Sequence, residues 1–325
     1  VADRAGVGTI TVSRALRDPE RVSLELRERI ALAVRELGYV LNPNARALAS
    51  VRADVIGVLI PSMTNNVFSE VLRGIHDGLG QSPLQIQLGN THYSEREEER
   101  LLRVFLSQHP SALIVSGIDQ SPAARRLLAA AECPVVQIME IGPDPIDMMI
   151  GFSHFEGGKA ATTHLLDAGC RHVGFIGARM DPRSSRRLEG YRSAMRLAGR
   201  DDASLVTTTT MASSVSVGAR LFRETIERVP QLDAVVCNND DIALGALFAC
   251  QKAGLDVPSR ICIAGFNDLE MMEVAHPAIT SIRTPRYEIG RQAVMMAMAE
   301  LAGERVENRV VDLGFELKVR ASTTR

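Results

Sequence analysis

The sequence predicts an all-α helix-turn-helix head followed by an α/β body of two doubly wound parallel-sheet subdomains, and three observations carry that prediction. Residues 2–5, the turn Gly6-Val7-Gly8 and residues 9–16 read as a helix, a tight turn and a second short helix. From Asp54 onward short apolar runs alternate with amphipathic stretches, the rhythm of strand, helix and parallel strand. That rhythm runs through twice, so two similar halves follow one another; at 325 residues the chain has room for two or three domains.

In the head, a third helix starts at Ser23, a good N-cap, with Glu25 in its first turn. Leu26, Ile30, Val34 and Leu37 share one face until Gly38 stops it. Asn42 then caps a proline at a first helical position, Pro43, and residues 44–49 can form one or two turns. So short a helix is marginal in water and is expected to order only on a partner or on DNA, which makes 42–53 a hinge. The first half of the body has strands over 55–61, 84–89, 112–116, 135–139 and 148–152, separated by helices over 67–80, 95–107 and 122–131. The second half runs helix 155–168, strand 172–177, helices 186–197 and 215–229, strand 234–238, helix 242–252 and strand 261–266. A last helix, 288–301, is expected to return to the first half, and a last strand, 317–320, to the second. The expected divisions are therefore a head over 1–41, the hinge over 42–53, one subdomain over 54–152 and 284–311, and another over 153–283 and 312–325. Two such sheets bind ligands in the cleft at the carboxyl ends of their strands.

Charge divides the chain in the same place. Residues 1–52 hold nine Arg, no Lys and six acids, a net of +3, whereas the remainder holds 28 bases and 33 acids, a net of −5. A phosphate backbone is attracted to the head and repelled by the body. A solvated basic helical hairpin is the alternative reading of the short head motif taken alone.

Other chemistries lack their residues. Cys133, Cys170, Cys237, Cys250 and Cys262 are odd in number and scattered, with no Cys-x-x-Cys, which argues for reduced thiols in a cytoplasm and against a zinc site. No signal segment and no membrane-length apolar run is seen. The chain begins at Val1 without an initiator Met, so a few residues that began the first helix are expected to be missing. Gly151, Gly157 and Gly158 make no dinucleotide fingerprint and no serine sits on a nucleophile elbow. His154, His164 and His172 form no metal or triad pattern and read as core or surface residues. Asp240-Asp241 has no further acid or histidine at ligand spacing, so it reads as the acidic first turn of a helix. No cofactor, no metal and no catalysis are expected.

The head motifs Ala5-Gly6-Val7 and Thr11-Val12-Ser13-Arg14-Ala15-Leu16, with Leu37-Gly38-Tyr39 and Ala45-Arg46-Ala47-Leu48, resemble the LacI/GalR family of bacterial repressors, and the resemblance runs end to end. Within that family, Pro61-Ser62-Met63-Thr64-Asn65, Phe68-Ser69-Glu70-Val71-Leu72-Arg73-Gly74, Gly177-Ala178-Arg179, Cys237-Asn238-Asn239-Asp240-Asp241 and Asp312-Leu313-Gly314-Phe315 are similar to repressors of gluconate-utilisation operons. The resemblance implies a body like the periplasmic sugar-binding proteins and a homodimer, with pairing into tetramers left open. Each head would read half of a pseudo-palindromic operator, and a small sugar acid would control the response. Two positions depart from the pattern: Pro43 lies inside the hinge, and Asn267 stands where many members carry an aspartate that holds a sugar hydroxyl.

A recognition helix lays its N-terminal side chains on base edges, which selects Thr9, Ile10 and Arg14 for direct readout, Arg14 because its fork can engage guanine O6 and N7. Thr11 and Ser13 suit phosphates. Core packing is the alternative for Ile10 and is adopted for Val12, whose family counterpart faces inward. The resemblance makes Leu48 a minor-groove wedge, with packing against the partner hinge as the alternative, and Ala45 is small enough for close approach. In the body, Arg179, Arg183, Arg186 and Arg187 gather around Asp181-Pro182, a concentration suited to an anion. Arg187 occupies the family's effector-binding arginine position; a solvated helix face is the alternative for Arg183 and the reading adopted for Arg186. Asn239 and Asp240 follow one apolar strand, and Asn267 and Asp268 follow the next, where amide and carboxylate groups can hold polyol hydroxyls. An uptake protein or a sugar-modifying enzyme would share the body, but the first predicts no head and the second an acid-base pair or cofactor loop. A regulator of another sugar, or of a phosphorylated sugar acid, is the alternative within the family.

Overall fold

The helices of the head pack on a small core of alanine and β-branched side chains. In a computed structural model, which describes residues 1–39 and 53–324, α1 (Ala2–Ala5), α2 (Thr9–Arg17) and α3 (Leu24–Glu36) surround a core of Ala5, Val12, Ala15, Val22, Ile30 and Ala33. Gly6 ends α1 at φ 61°, a left-handed conformation that costs glycine nothing and turns the chain into α2. The Arg29 guanidinium donates to the Ala5 carbonyl at 2.6 Å, and Arg4 pairs with Glu36, tying α1 to α3. Ser23 takes the N-cap position of α3 but its hydroxyl makes no capping bond. Leu37, expected on the core face, is 52% exposed, because the helix ends just before it and Ala33 fills the inner surface. The expected hinge helix over 44–49, with Ala45 and Leu48, lies outside the described residues.

The chain divides into two units, Val1–Ala53 and Asp54–Arg325. The second opens with β1 (Ala53–Ile60), α4 (Asn66–Leu79), β2 (Gln85–Asn90), α5 (Glu95–Leu106), β3 (Pro110–Ser116), α6 (Pro122–Ala129), β4 (Val135–Ile138) and β5 (Met148–Gly151). It continues through α7 (His154–Asp167), β6 (Val173–Ala178), α8 (Pro182–Leu197), β7 (Val206–Thr209), α9 (Val215–Arg228), β8 (Ala234–Cys237), α10 (Asp240–Ala253) and β9 (Cys262–Asn267). It closes with α11 (Met271–Val274), β10 (Thr280–Arg283), α12 (Arg286–Leu301), β11 (Val310–Asp312) and β12 (Glu316–Lys318). The strands form two six-stranded sheets in the orders β2-β1-β3-β4-β5-β11 and β7-β6-β8-β9-β10-β12. Among the described residues strands pair in parallel, as in Val58 against Leu88, except β10 with β12, where Ile282 faces Leu317 in antiparallel register.

These orders reverse at β1 and β6, the position where doubly wound sheets open a crevice. Strand interiors such as Leu113, Ile114, Val136 and Val235 are fully buried, since helices cover both faces of a parallel sheet. The last helix packs on α4 and β3 to β5, and Asp312 still belongs to β11 of the first sheet. Strands β7, β10 and β11, of four, four and three residues, were not anticipated, being too short to show a period. Two helices start earlier than their apolar pattern. Asp181 accepts from the Ser184 N–H at 2.9 Å with Pro182 in the first turn of α8, and Asn239 accepts from the Ile242 N–H at 3.1 Å at the start of α10.

Helices α7 and α8 meet backbone to backbone. A Cβ on Gly158 would collide with the backbone of Arg187, and one on Gly190 with the Phe155 carbonyl. Gly158→Ala is therefore expected to push α8 outward and to destabilise the protein by about 1–3 kcal/mol. Urea unfolding would show this as a lower midpoint at unchanged slope, and an unchanged midpoint would contradict the close-packing argument.

Candidate functional site

On the head, α2 turns one polar side to solvent. Thr9, Ser13 and Arg14 are exposed, Ile10 is 73% exposed, Thr11 is half-buried, and Val12 is buried in the core as its inward assignment requires. Core packing is thereby ruled out for Ile10. Gly8 occupies the N-cap of α2 and no side chain caps it, so the positive end of the helix is open beside these residues.

In the body, a cavity of about 190 Å³ lies between the carboxyl ends of the two sheets. The first sheet contributes Ser62, Thr64, Asn65 and Phe68 after β1, Tyr93 after β2 and Met139 after β4; the second contributes Arg179, Arg183, Arg187, Asn239, Asp241 and Asn267 among others. Four of these side chains sit on residues with positive φ: Tyr93 (59°), Met139 (74°), Arg179 (67°) and Asn267 (107°). Left-handed backbone is costly for non-glycine residues, and its concentration at four strand ends bordering one cavity is the pattern of a site whose side chains are aimed by the fold.

Arg187 is the most constrained of them. It is buried, its Nε donates to His154 Nδ1 at 3.1 Å, one Nη donates to the Asn238 carbonyl, and its guanidinium carbon stands 3.8 Å from the Phe266 ring centroid. His154 is fixed in turn: Nδ1 accepts from Arg187, so Nε2–H donates to the Met139 carbonyl at 2.9 Å. Burial, then the charge of Arg187, holds the His154 imidazole neutral, well below its ordinary pKa. Burial also lowers the Arg187 guanidinium to about 10, which leaves it charged at neutral pH. Arg179 lies over the Tyr93 ring at 4.0 Å, and Arg183 reaches Ser116 Oγ at 3.3 Å and lies over Phe68 at 5.8 Å. Asp181 is the nearby acid; burial raises its pKa, but Arg183 and the Ser184 N–H outweigh that and hold it ionised. Asn267 is 5% exposed, and its Oδ1 is buried with no hydrogen-bond donor. A fixed cation, a ring of amides and hydroxyls and an unsatisfied carbonyl oxygen suit a small, polyhydroxylated anion.

Of the sequence-predicted residues, Arg179, Arg183, Arg187, Asn239 and Asn267 converge on this cavity. Asp240 does not. It is fully buried beneath the cavity, accepting from Ser281 Oγ at 2.8 Å and from the Leu269 N–H at 2.7 Å, because α10 begins at Asp240 and turns its neighbour Asp241 outward instead. Arg186 is not a solvated helix residue either; it pairs with Asp119 and Glu140 of the first sheet's loops. Sequence reasoning missed His154, Tyr93, Asn65 and Asp241. The rule that sites form at strand carboxyl ends applies equally to the first sheet and would have pointed to Tyr93 and Asn65.

Among the described residues no helix is long and apolar enough to cross a membrane. The model of bacterial regulatory proteins of the lacI family matches residues 1–42, and that of a periplasmic binding protein-like domain matches residues 162–323. The chain is 43% identical over 323 residues to the HTH-type transcriptional regulator GntR of Pseudomonas aeruginosa, covering 99% of this chain and 94% of that one. It is 40% identical to GntR of Escherichia coli, covering 98% and 95%. A LacI family transcriptional regulator from Silicibacter pomeroyi is similar in structure, with a TM-score of 0.94 and 36% identity, covering 100% of this chain and 98% of that one. The chain thus belongs to the LacI family of bacterial transcriptional regulators, DNA-binding proteins whose helical head and periplasmic-binding-protein-like body are the two units described above.

Proposed function

We propose that this regulator is a homodimeric cytoplasmic repressor released from its operator by a sugar acid, gluconate or a related aldonate, which it binds without chemical change. Arg187 would hold the carboxylate or a pair of hydroxyls, with Arg179 and Arg183 beside it and Asn239 and Asn267 on the polyol chain. The observation that carries the reading is the convergence of a buried, charged Arg187 and the undonated Oδ1 of Asn267 on one small cavity. A carboxylate would add to the counter-charge that Asp181 already supplies to Arg187, which a neutral sugar would not do. In the head, Thr9, Ile10 and Arg14 would read bases and Thr11 and Ser13 would bind phosphates, with Leu48 wedging the minor groove and Ala45 allowing close approach. Effector would favour one arrangement of the lobes, and operator affinity would fall by the coupling free energy.

A thermal-shift screen of gluconate, phosphogluconate, other aldonates and neutral sugars tests this. An effector at one hundred times its Kd stabilises the protein by about 2.7 kcal/mol, a rise of several degrees in melting temperature, and the same compound should release operator DNA in an anisotropy titration. A response to neutral sugars alone would sink the acid reading; a response to phosphogluconate alone would move it to phosphorylated acids.

A further inference from the structure

We propose that Arg186 is a positioning residue for the effector response: it latches the two lobes across the mouth of the cleft through Asp119 and Glu140, and the latch is joined to Arg187 through His154.

Arg186 lies on the second turn of α8, next to Arg187 but outside the cavity lining, and it reaches the other lobe. Its two Nη atoms meet both carboxylate oxygens of Asp119, at 2.5 and 2.8 Å, the planar two-point pairing that fixes orientation as well as distance. One Nη also stands 3.4 Å from Glu140 Oε2. Asp119 follows β3 and Glu140 follows β4, so both acceptors belong to the first sheet's loops while the donor belongs to the second lobe. The bridge is buried at its Glu140 end, 2% exposed, while Arg186 and Asp119 are 27% and 33% exposed. Burial raises the Glu140 carboxyl to about 7, and the Arg186 guanidinium is the chief influence opposing that rise, while Arg186 itself is held mainly by Asp119.

The other oxygen of Glu140 meets the start of α7. Oε1 accepts from the His154 N–H at 3.4 Å, and His154 Nδ1 accepts from Arg187 Nε at 3.1 Å. A chain of contacts therefore runs from Asp119 through Arg186 and Glu140 to the backbone of His154, and from the His154 ring to Arg187 at the cavity, crossing from lobe to lobe. The latched arrangement is the one that holds Arg187 at the cavity, so loss of the latch lowers the population able to bind, and apparent effector affinity falls by the same factor. Arg183 also crosses to Ser116, but it lines the cavity and its loss would mix contact with closure.

The test uses the full-length protein and the variants Arg186→Ala, Asp119→Ala and the double variant. Hydrogen exchange followed by mass spectrometry on ligand-free protein should show amides 139–142 and 153–156 exchanging about three to ten times faster in each single variant, with no further gain in the double variant and no change in β3 or β8. Calorimetry with gluconate should show affinity about three to ten times weaker in the variants. Unchanged exchange, additive single effects, or faster exchange spread through the second lobe with a lower melting temperature would each overturn the latch. So would altered exchange with unaltered gluconate affinity. Only the calorimetric arm rests on the effector reading; should the wild type itself not bind gluconate, that reading fails and the exchange cycle still decides the latch.

Discussion

Arg14→Ala is expected to weaken binding to the operator by about 1–3 kcal/mol, roughly five- to 150-fold, while binding to random DNA and its salt dependence change little. Arg14 is exposed on the open side of α2, one turn from Ile10 and beside Ser13, and it takes no part in the head's core of Ala5, Val12, Ala15, Val22, Ile30 and Ala33. Its removal is therefore expected to leave the fold intact and to take away only the proposed base contact. Phosphate contacts would behave differently. Losing one weakens every sequence alike and lowers the salt slope by about one, because one counterion fewer is released. Fluorescence anisotropy on the chain's own upstream region and on random duplex, at two salt concentrations, separates the cases. Equal losses on both DNAs, or a reduced salt slope on random DNA, would assign Arg14 to the backbone.

What could be read before the structure depended on how locally each feature is specified. The helix-turn-helix was legible because Gly6 supplies the left-handed turn and Val12 and Ala15 repeat at helical spacing. The two halves were legible because fully buried parallel strands such as residues 112–115 are continuous apolar runs. The strands missed, β7, β10 and β11, are three or four residues long, too short to show a period, and β11 in addition pairs with β5 from a distant part of the chain. The cavity was half legible. Arginines at the start of α8 announced a cationic wall, but Tyr93, Met139 and Arg179 adopt positive φ without the glycine that would signal it, so the direction of their side chains could not be inferred. Asp240 and Asp241 exchanged places for a simpler reason. The helix begins two residues before its first apolar position, at a cap that Asn239 provides, and a shift of that size rotates a carboxylate from the cleft into the core. The same Asp-Pro and Asn cap signals were present in the sequence and deserved priority over the apolar period. Arg186 looked solvated because its partners, Asp119 and Glu140, are remote in sequence and arrive only when the lobes are assembled.

Arg187→Ala is expected to separate the two activities of the protein: operator binding persists, and release by the effector requires about ten to a hundred times more ligand. The estimate follows from losing a charge-assisted hydrogen bond to a carboxylate or polyol, about 1.5–3 kcal/mol. The geometry explains why another arginine cannot substitute. Arg187 is locked by His154, by the Asn238 carbonyl and by the face of Phe266, whereas Arg179 and Arg183 are anchored at other points of the cavity wall, against Tyr93 and Ser116, and cannot take its place there. That locking also carries a cost, because the alanine leaves the Asn238 carbonyl and His154 Nδ1 without their donor, and the melting temperature should fall by an amount consistent with about 1–3 kcal/mol. Arg187→Lys controls for this. Lysine keeps a positive charge near the cavity but has no planar fork to serve Asn238, the ring of Phe266 and a ligand together, so effector affinity should still drop at least tenfold even if part of the stability returns. Calorimetry for gluconate and anisotropy for the operator, both run well below the melting temperature of each variant, read the two functions independently. Wild-type effector affinity in either variant would remove Arg187 from the binding site. Operator binding lost in the absence of effector, from a protein that still melts cooperatively, would instead make Arg187 part of the path that holds the DNA-binding state.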